Sequence, residues 1–258
     1  MTNSAQLFEF TSSIVLDTEI ASIATVDAIS ISVDTGASES QALSIARAEA
    51  WRQLRARNVF PHDVPLFAVE GDPVAALTPI ERTVLALSLR LKVDEAEIAT
   101  IVGLKHKETA ALLKESRRQL ARAAIAMTML TNETRCPITT QSQQTFGADI
   151  KRSQALFLVT HAAECQICVP VLRTVDRQII TDYINAAVIG IPASIDNTVA
   201  ALSDADREKL VHRARLKAGW AQPDENLSQD PKRMLKRAVL FGAVSALCVL
   251  LGLILAAR

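Results

Sequence analysis

Aromatic side chains make up only 4% of this chain, and glycine supplies only 8 of its 258 residues. Few large rings and few tight-turn residues argue against a sandwich or barrel, and abundant Ala, Leu, Ile, Arg and Glu argue for helices. Net charge is lacking too. The 28 basic and 28 acidic residues cancel, so no overall field draws the molecule to nucleic acid or acidic lipid, and an electrostatic partner must be chosen by a local patch. With four histidines, no Ser-His-Asp set, no phosphate-cradling glycine loop and no paired carboxylate motif, nothing points to an enzyme or a small-molecule substrate.

Long apolar runs are missing with one exception. Residues 238–257, "AVLFGAVSALCVLLGLILAA", contain no charge over 20 positions, the length that crosses a bilayer's hydrocarbon as a helix. Lys232, Arg233, Lys236 and Arg237 precede the run and only Arg258 follows it. That bias predicts a single-pass protein of the cell's inner membrane with its N-terminal region in the cytoplasm. Closely spaced cysteines in such a reducing compartment are more often metal ligands or redox thiols than structural disulfides.

Along the chain, residues 12–33 mix apolar side chains without a clean period, and "DTGASES" reads as a loop ending in a helix cap. "SQALSIARAEAWRQLRAR" is an amphipathic helix that stops near Asn58, before Pro61 and Pro65. Thr78, Pro79 and Glu81 form a capping-box signature opening "TPIERTVLALSLRL", with Ile80, Val84, Leu87 and Leu91 inward. Asp94 and Glu97 repeat the device before a short helix, "EAEIATIV", which Gly103 stops; "LKHK" turns the chain into "ETAALLKESRRQLARAAIAM". Short helix, glycine turn and longer helix are the organisation of a helix-turn-helix.

Residues 77–120 resemble region four of the bacterial extracytoplasmic-function sigma factors. The likeness rests on the Leu-x-x-x-x-Arg opening from Leu77 to Arg82, on "EIATIVGL" with its turn glycine, and on a helix ending Arg-Arg-x-Leu at Leu120. It implies a domain that reads promoter DNA through Lys105, Lys107, Thr109, Lys114, Arg117 and Arg118. Ala110 and Leu112 stand where that family commonly carries a lysine and an arginine. Between Pro79 and Arg122, nine Lys or Arg face six Asp or Glu, a net of +3 that permits phosphate contacts of modest strength. "ALSIARAEAWRQLRAR" is weakly similar to a helix of sigma region two, but the aromatic cluster that melts DNA in such factors has no counterpart here.

"HAAECQIC" then places His161, Cys165 and Cys168 within eight residues. On a helix, positions i, i+4 and i+7 share one face, and Cys136, with 24 residues between it and His161, offers a fourth soft ligand. Thiolate and imidazole suit zinc, and four protein ligands close a structural site. Small buried cysteines and a Cys165–Cys168 redox pair are the alternatives that the residues alone leave open. The spacing C-x24-H-x3-C-x2-C resembles the zinc-containing anti-sigma factors, in which Cys136, His161, Cys165 and Cys168 would be the zinc ligands and the segment would restrain a sigma factor. Some members of that family exchange zinc for a disulfide on oxidation. Two further amphipathic helices, "PVLRTVDRQIITDYINAAV" and "SDADREKLVHRARLKAGW" with Ser203 as its cap, are expected to cover the helix-turn-helix.

The expectation is an all-α chain. A degenerate region-two-like segment (1–65) precedes a three-helix helix-turn-helix (66–128), a zinc-stapled anti-sigma-like domain (129–220), a polar linker with a basic flank (221–237) and one transmembrane helix (238–257). Such a chain would be a membrane-tethered transcription regulator with promoter DNA, RNA polymerase or a sigma factor as partner. The alternative is a membrane-bound anti-sigma factor that sequesters a separate sigma factor, its helix-turn-helix being a degenerate scaffold.

Overall fold

The computed structural model describes residues 3–131, 136–185 and 194–220. Two compact units divide the chain, 1–212 and 213–258, and of the second only 213–220 are among the described residues. The apolar run 238–257, its basic flank and the linker from 221 lie outside them. Among the described residues no single helix is long and apolar enough to cross a membrane.

Three helices open the first unit: α1 (Ser4–Val15), α2 (Thr18–Thr35) and α3 (Glu39–Ala56). Each starts on a side chain that accepts an otherwise orphaned N–H: Asn3, Asp17, and Ser38 in a full capping box with Gln41. Gly36 closes α2 at φ +62, a backbone shape that costs glycine little. The missing period in residues 12–33 has a packing cause. α2 lies against α1, α3 and α10 (Ser194–Ala201), so Ile20, Ala24, Val26, Ala28 and Ile31 are buried around much of its circumference and no single stripe stands out. Two hydroxyls buried with them are satisfied: Thr11 and Thr25 share a 2.7 Å hydrogen bond, and Thr25 also donates to the Ala21 carbonyl.

After the proline-bearing loop come a two-residue strand, β1 (Phe67–Ala68), and a 3-10 turn at Pro73–Ala76. α4 (Pro79–Leu85) begins on the Thr78–Glu81 capping box and runs on as a π-helical turn, Ala86–Arg90. Ile80, Val84 and Leu87 are buried as their spacing predicts. α5 (Glu95–Val102) is capped by Asp94 and ended by Gly103 at φ +72. α6 then runs from His106 to Thr131 without a break. Its first half packs on α4 and α5, and its second half joins a separate core with α8 and α9, so position 128 lies inside one continuous helix.

The rest of the unit comprises α7 (Pro137–Phe146), β2 (Asp149–Ile150), α8 (Arg152–Glu164), α9 (Val169–Asn185), α10 and α11 (Asp204–Trp220), which continues past residue 212. Ser203 caps α11, accepting the Asp206 N–H. β2 pairs antiparallel with β1, Phe67 opposite Ile150, and this is the one sheet among the described residues. The fold is otherwise helical.

Buried guanidinium groups tie these layers together through main-chain carbonyls. Arg82 of α4 donates from Nε to the Ile14 carbonyl at the end of α1 and from Nη1 to Leu77, each at 2.7 Å. Burial pulls its pKa down from 12.5 to about 10. Arg47 of α3 lies over the Trp51 ring and donates to the Val102 carbonyl at 2.8 Å, covering the C-terminus of α5. The bonds to Ile14 and Val102 meet carbonyls that a helix end leaves without an internal partner.

Candidate metal centre and basic helix face

The elements around Cys136 explain why four donors converge. Pro137 occupies the first helical position of α7, where a missing N–H costs nothing, and this fixes Cys136 as the residue on which the helix starts. α7 leads through Gly147 and the β1–β2 ladder into α8, whose last turn carries His161. The expectation that His161, Cys165 and Cys168 share one face of a single helix is corrected. α8 ends at Glu164, Cys165 is its extended C-cap (φ −88, ψ 119), and a turn closed by Cys168 N–H to Cys165 carbonyl precedes α9. The three residues meet because the chain bends there, not because a helix continues.

Cys136 Sγ lies 3.2 Å from His161 Nε2 and 4.0 Å from Cys165 Sγ, and Cys168 Sγ lies 3.7 Å from His161 Nε2. All four donor atoms fall within 4.8 Å of one another. Cys136 and Cys168 are buried, whereas His161 and Cys165 are partly open. Three sulfurs and an imidazole nitrogen at these separations can hold one metal ion.

Burial raises the Cys136 thiol, but the polar groups of Thr139, His161 and Cys168 outweigh it and bring its pKa from 9.0 down to about 6. For Cys168 burial dominates, and its pKa rises to about 12. The two shifts run in opposite directions, as expected of packed thiols that cannot all carry charge together. Thr139, whose hydroxyl sits 3.7 Å from Cys168 Sγ, is a neighbour the motif did not reveal. Its signal lay in Pro137, which marks a helix start and so puts residue 139 in the first turn.

No protein family, curated protein or solved structure matches this chain.

Along the first half of α6 and the turn before it, Lys105, Lys107, Lys114, Arg117 and Arg118 are all exposed. Thr109 is not. It is fully buried, and its hydroxyl donates to the Lys105 carbonyl, so it braces the start of α6 and offers no surface to a nucleic acid. Glu115 takes both Arg118, at 2.8 Å, and Arg122, at 3.1 Å, and Arg117 reaches the Ser88 hydroxyl. Lys105, Lys107 and Lys114 make no ion pair among the described residues. His106 is exposed beside Glu95. Of the two helices expected to cover the helix-turn-helix, α9 packs on it through Ile179 and Tyr183 against Leu85 of α4 and Leu120 and Ala124 of α6, and leaves the three lysines exposed.

Proposed function

We propose that the chain is a membrane-tethered bacterial transcription regulator in which a sigma-like helix-turn-helix, α4 to α6, and a zinc-holding anti-sigma-like segment share one polypeptide. The observation that carries the reading is the four-donor cluster. A tetrahedral zinc with bonds of about 2.3 Å to sulfur and about 2.0 Å to nitrogen has edges of roughly 3.8 Å between sulfurs and roughly 3.6 Å between sulfur and nitrogen. Three of the six donor separations, 4.0, 3.2 and 3.7 Å, lie within about 0.4 Å of those edges and all six fall within 4.8 Å, whereas a disulfide would need sulfurs at about 2.0 Å. Cys136, His161, Cys165 and Cys168 would supply all four bonds, leaving no position for a reacting water. Zinc there would staple α7, α8 and α9 together and supply no catalysis.

The exposed lysines of α6 support DNA as a partner, and α9 leaves them uncovered. Restraint therefore acts by holding α4–α6 within one packed unit with α1–α3 and the metal-bearing helices, rather than by masking the basic side chains. The uncharged run 238–257 supports membrane attachment.

Two observations favour the second reading, a membrane-bound anti-sigma factor whose helix-turn-helix is a scaffold. Arg118 is paired with Glu115, which Arg122 shares, and Leu112 packs against the core instead of offering a charge. The full chain in lipid nanodiscs, titrated with random promoter-length duplexes and separately with bacterial sigma factors, separates the two. Salt-sensitive duplex binding supports the first reading. Sigma-factor binding without duplex binding supports the second, and binding of neither contradicts both.

A further inference from the structure

The first helix of the α4–α6 group is clasped by the metal-bearing segment at a position remote from the cluster. Arg152, the first residue of α8, donates from Nη1 to Glu81 Oε1 at 3.1 Å and from Nη2 to Glu81 Oε2. Its Nε and Nη2 also hold the Ala76 carbonyl, at 3.2 and 3.0 Å. Glu81 is the capping-box glutamate of α4: the same Oε2 accepts the Thr78 N–H at 2.7 Å and the Thr78 hydroxyl at 2.9 Å. One carboxylate, only 7% exposed, therefore starts α4 and anchors α8 together. Next to it, Arg82 ties the same turn to α1.

α8 is a strut fixed at both ends. At its N-terminus stand Arg152 and the short ladder of Ile150 with Phe67; at its C-terminus stand His161 and Cys165. His161 stands nine positions after Arg152, roughly 14 Å along a helix axis. We propose that metal occupancy at the C-terminal end of α8 is transmitted along this rigid helix to the Glu81–Arg152 clasp, so that losing the ion loosens the first turn of α4. The route is a contiguous one of backbone hydrogen bonds and one buried ion pair. A buried pair is sensitive to displacement, since a carboxylate left without its partner in a dry site is strongly disfavoured. The proposal rests on the cluster holding a metal and is independent of any DNA or sigma partner.

Thermodynamic reciprocity supplies the test: if metal tightens the clasp, the clasp must tighten metal by the same factor. Zinc content of the full chain in detergent is measured first, so that an empty cluster is told apart from a failed coupling. Competition with a chelator then compares the wild type with Arg152→Leu and the milder Arg152→Lys, neither of which touches a ligand. The proposal expects about tenfold weaker zinc binding in Arg152→Leu, within the usual range of such couplings, and an intermediate loss in Arg152→Lys. Equal affinity in folded variants, within about twofold, overturns it. Hydrogen exchange on the wild type needs no variant: chelation should speed exchange in residues 78–85 about tenfold while 7–15 and 24–33 stay protected. Deprotection confined to 136–168, or spread evenly over the whole unit, also overturns it.

Discussion

Salt should weaken the binding of DNA by the full chain in a way set by a count of free cations. Among the described residues Lys105, Lys107, Lys114 and Arg117 are exposed and make no ion pair, whereas Arg118 is taken by Glu115. Each phosphate neutralised contributes about −0.9 to the slope of log affinity against log salt, so four contacts give roughly −3.6. Raising salt from about 50 to about 200 mM then lowers affinity about 150-fold. Substituting Lys107 and Lys114 together by alanine should halve the slope to about −1.8 and weaken all duplexes alike, because phosphate contacts carry no base information. Fluorescence anisotropy of labelled duplexes with the nanodisc-bound chain measures both numbers. A flat salt response, or a slope unchanged by losing both lysines, refutes the assignment of this face to DNA.

Three further outcomes follow from the geometry. Gly103→Ala meets no atom within 4 Å, so its cost is that of holding alanine at φ +72, about 1 kcal/mol by denaturant titration with metal content unchanged; no loss would contradict the cap. Thr78→Val removes a hydroxyl that accepts the Glu81 N–H and donates to the Glu81 carboxylate, and should cost about 1–2 kcal/mol in the same titration, against a few tenths if the box were ornamental. In metal-free folded protein Cys136 should ionise near pH 6, well below its ordinary 9.0. Between those values the unfolded chain binds more protons, so this thiol's contribution to stability is complete above about pH 9 and is lost as pH falls through about 6. Thiolate absorbance should show that early transition and lose it in Cys136→Ser; a single transition near 9 would contradict the environment described.

Local signals were legible where the chemistry is local. The capping residues Thr78 and Asp94 and the stop at Gly103 each act within one turn and stand where the sequence put them, whereas "DTGASES", read as a loop, gives its first two residues to α2 and its last two to α3, with Ser38 as the cap. α2 was not legible, because burial against α1, α3 and α10 erases the single stripe by which an amphipathic helix is read. α7 escaped for the opposite reason: "PITTQSQQTF" has almost no apolar face, and only Pro137 marks it. The candidate ligands came from a helical spacing that the chain does not keep; His161, Cys165 and Cys168 meet across a bend, and spacing cannot distinguish the two arrangements. Glu81 and Arg152 stand 71 residues apart, and no local pattern couples them. Nor does exposure show in the letters, so Thr109 looked like its basic neighbours until burial removed it.

Metal analysis of the purified full chain, with X-ray absorption at the metal edge, tests the central claim most directly. One zinc per chain is predicted, with three sulfurs at about 2.3 Å and one nitrogen at about 2.0 Å, lost in both Cys136→Ser and Cys165→Ser. A chain that stays folded without metal when grown with ample zinc, or a shell without three sulfurs, would contradict it.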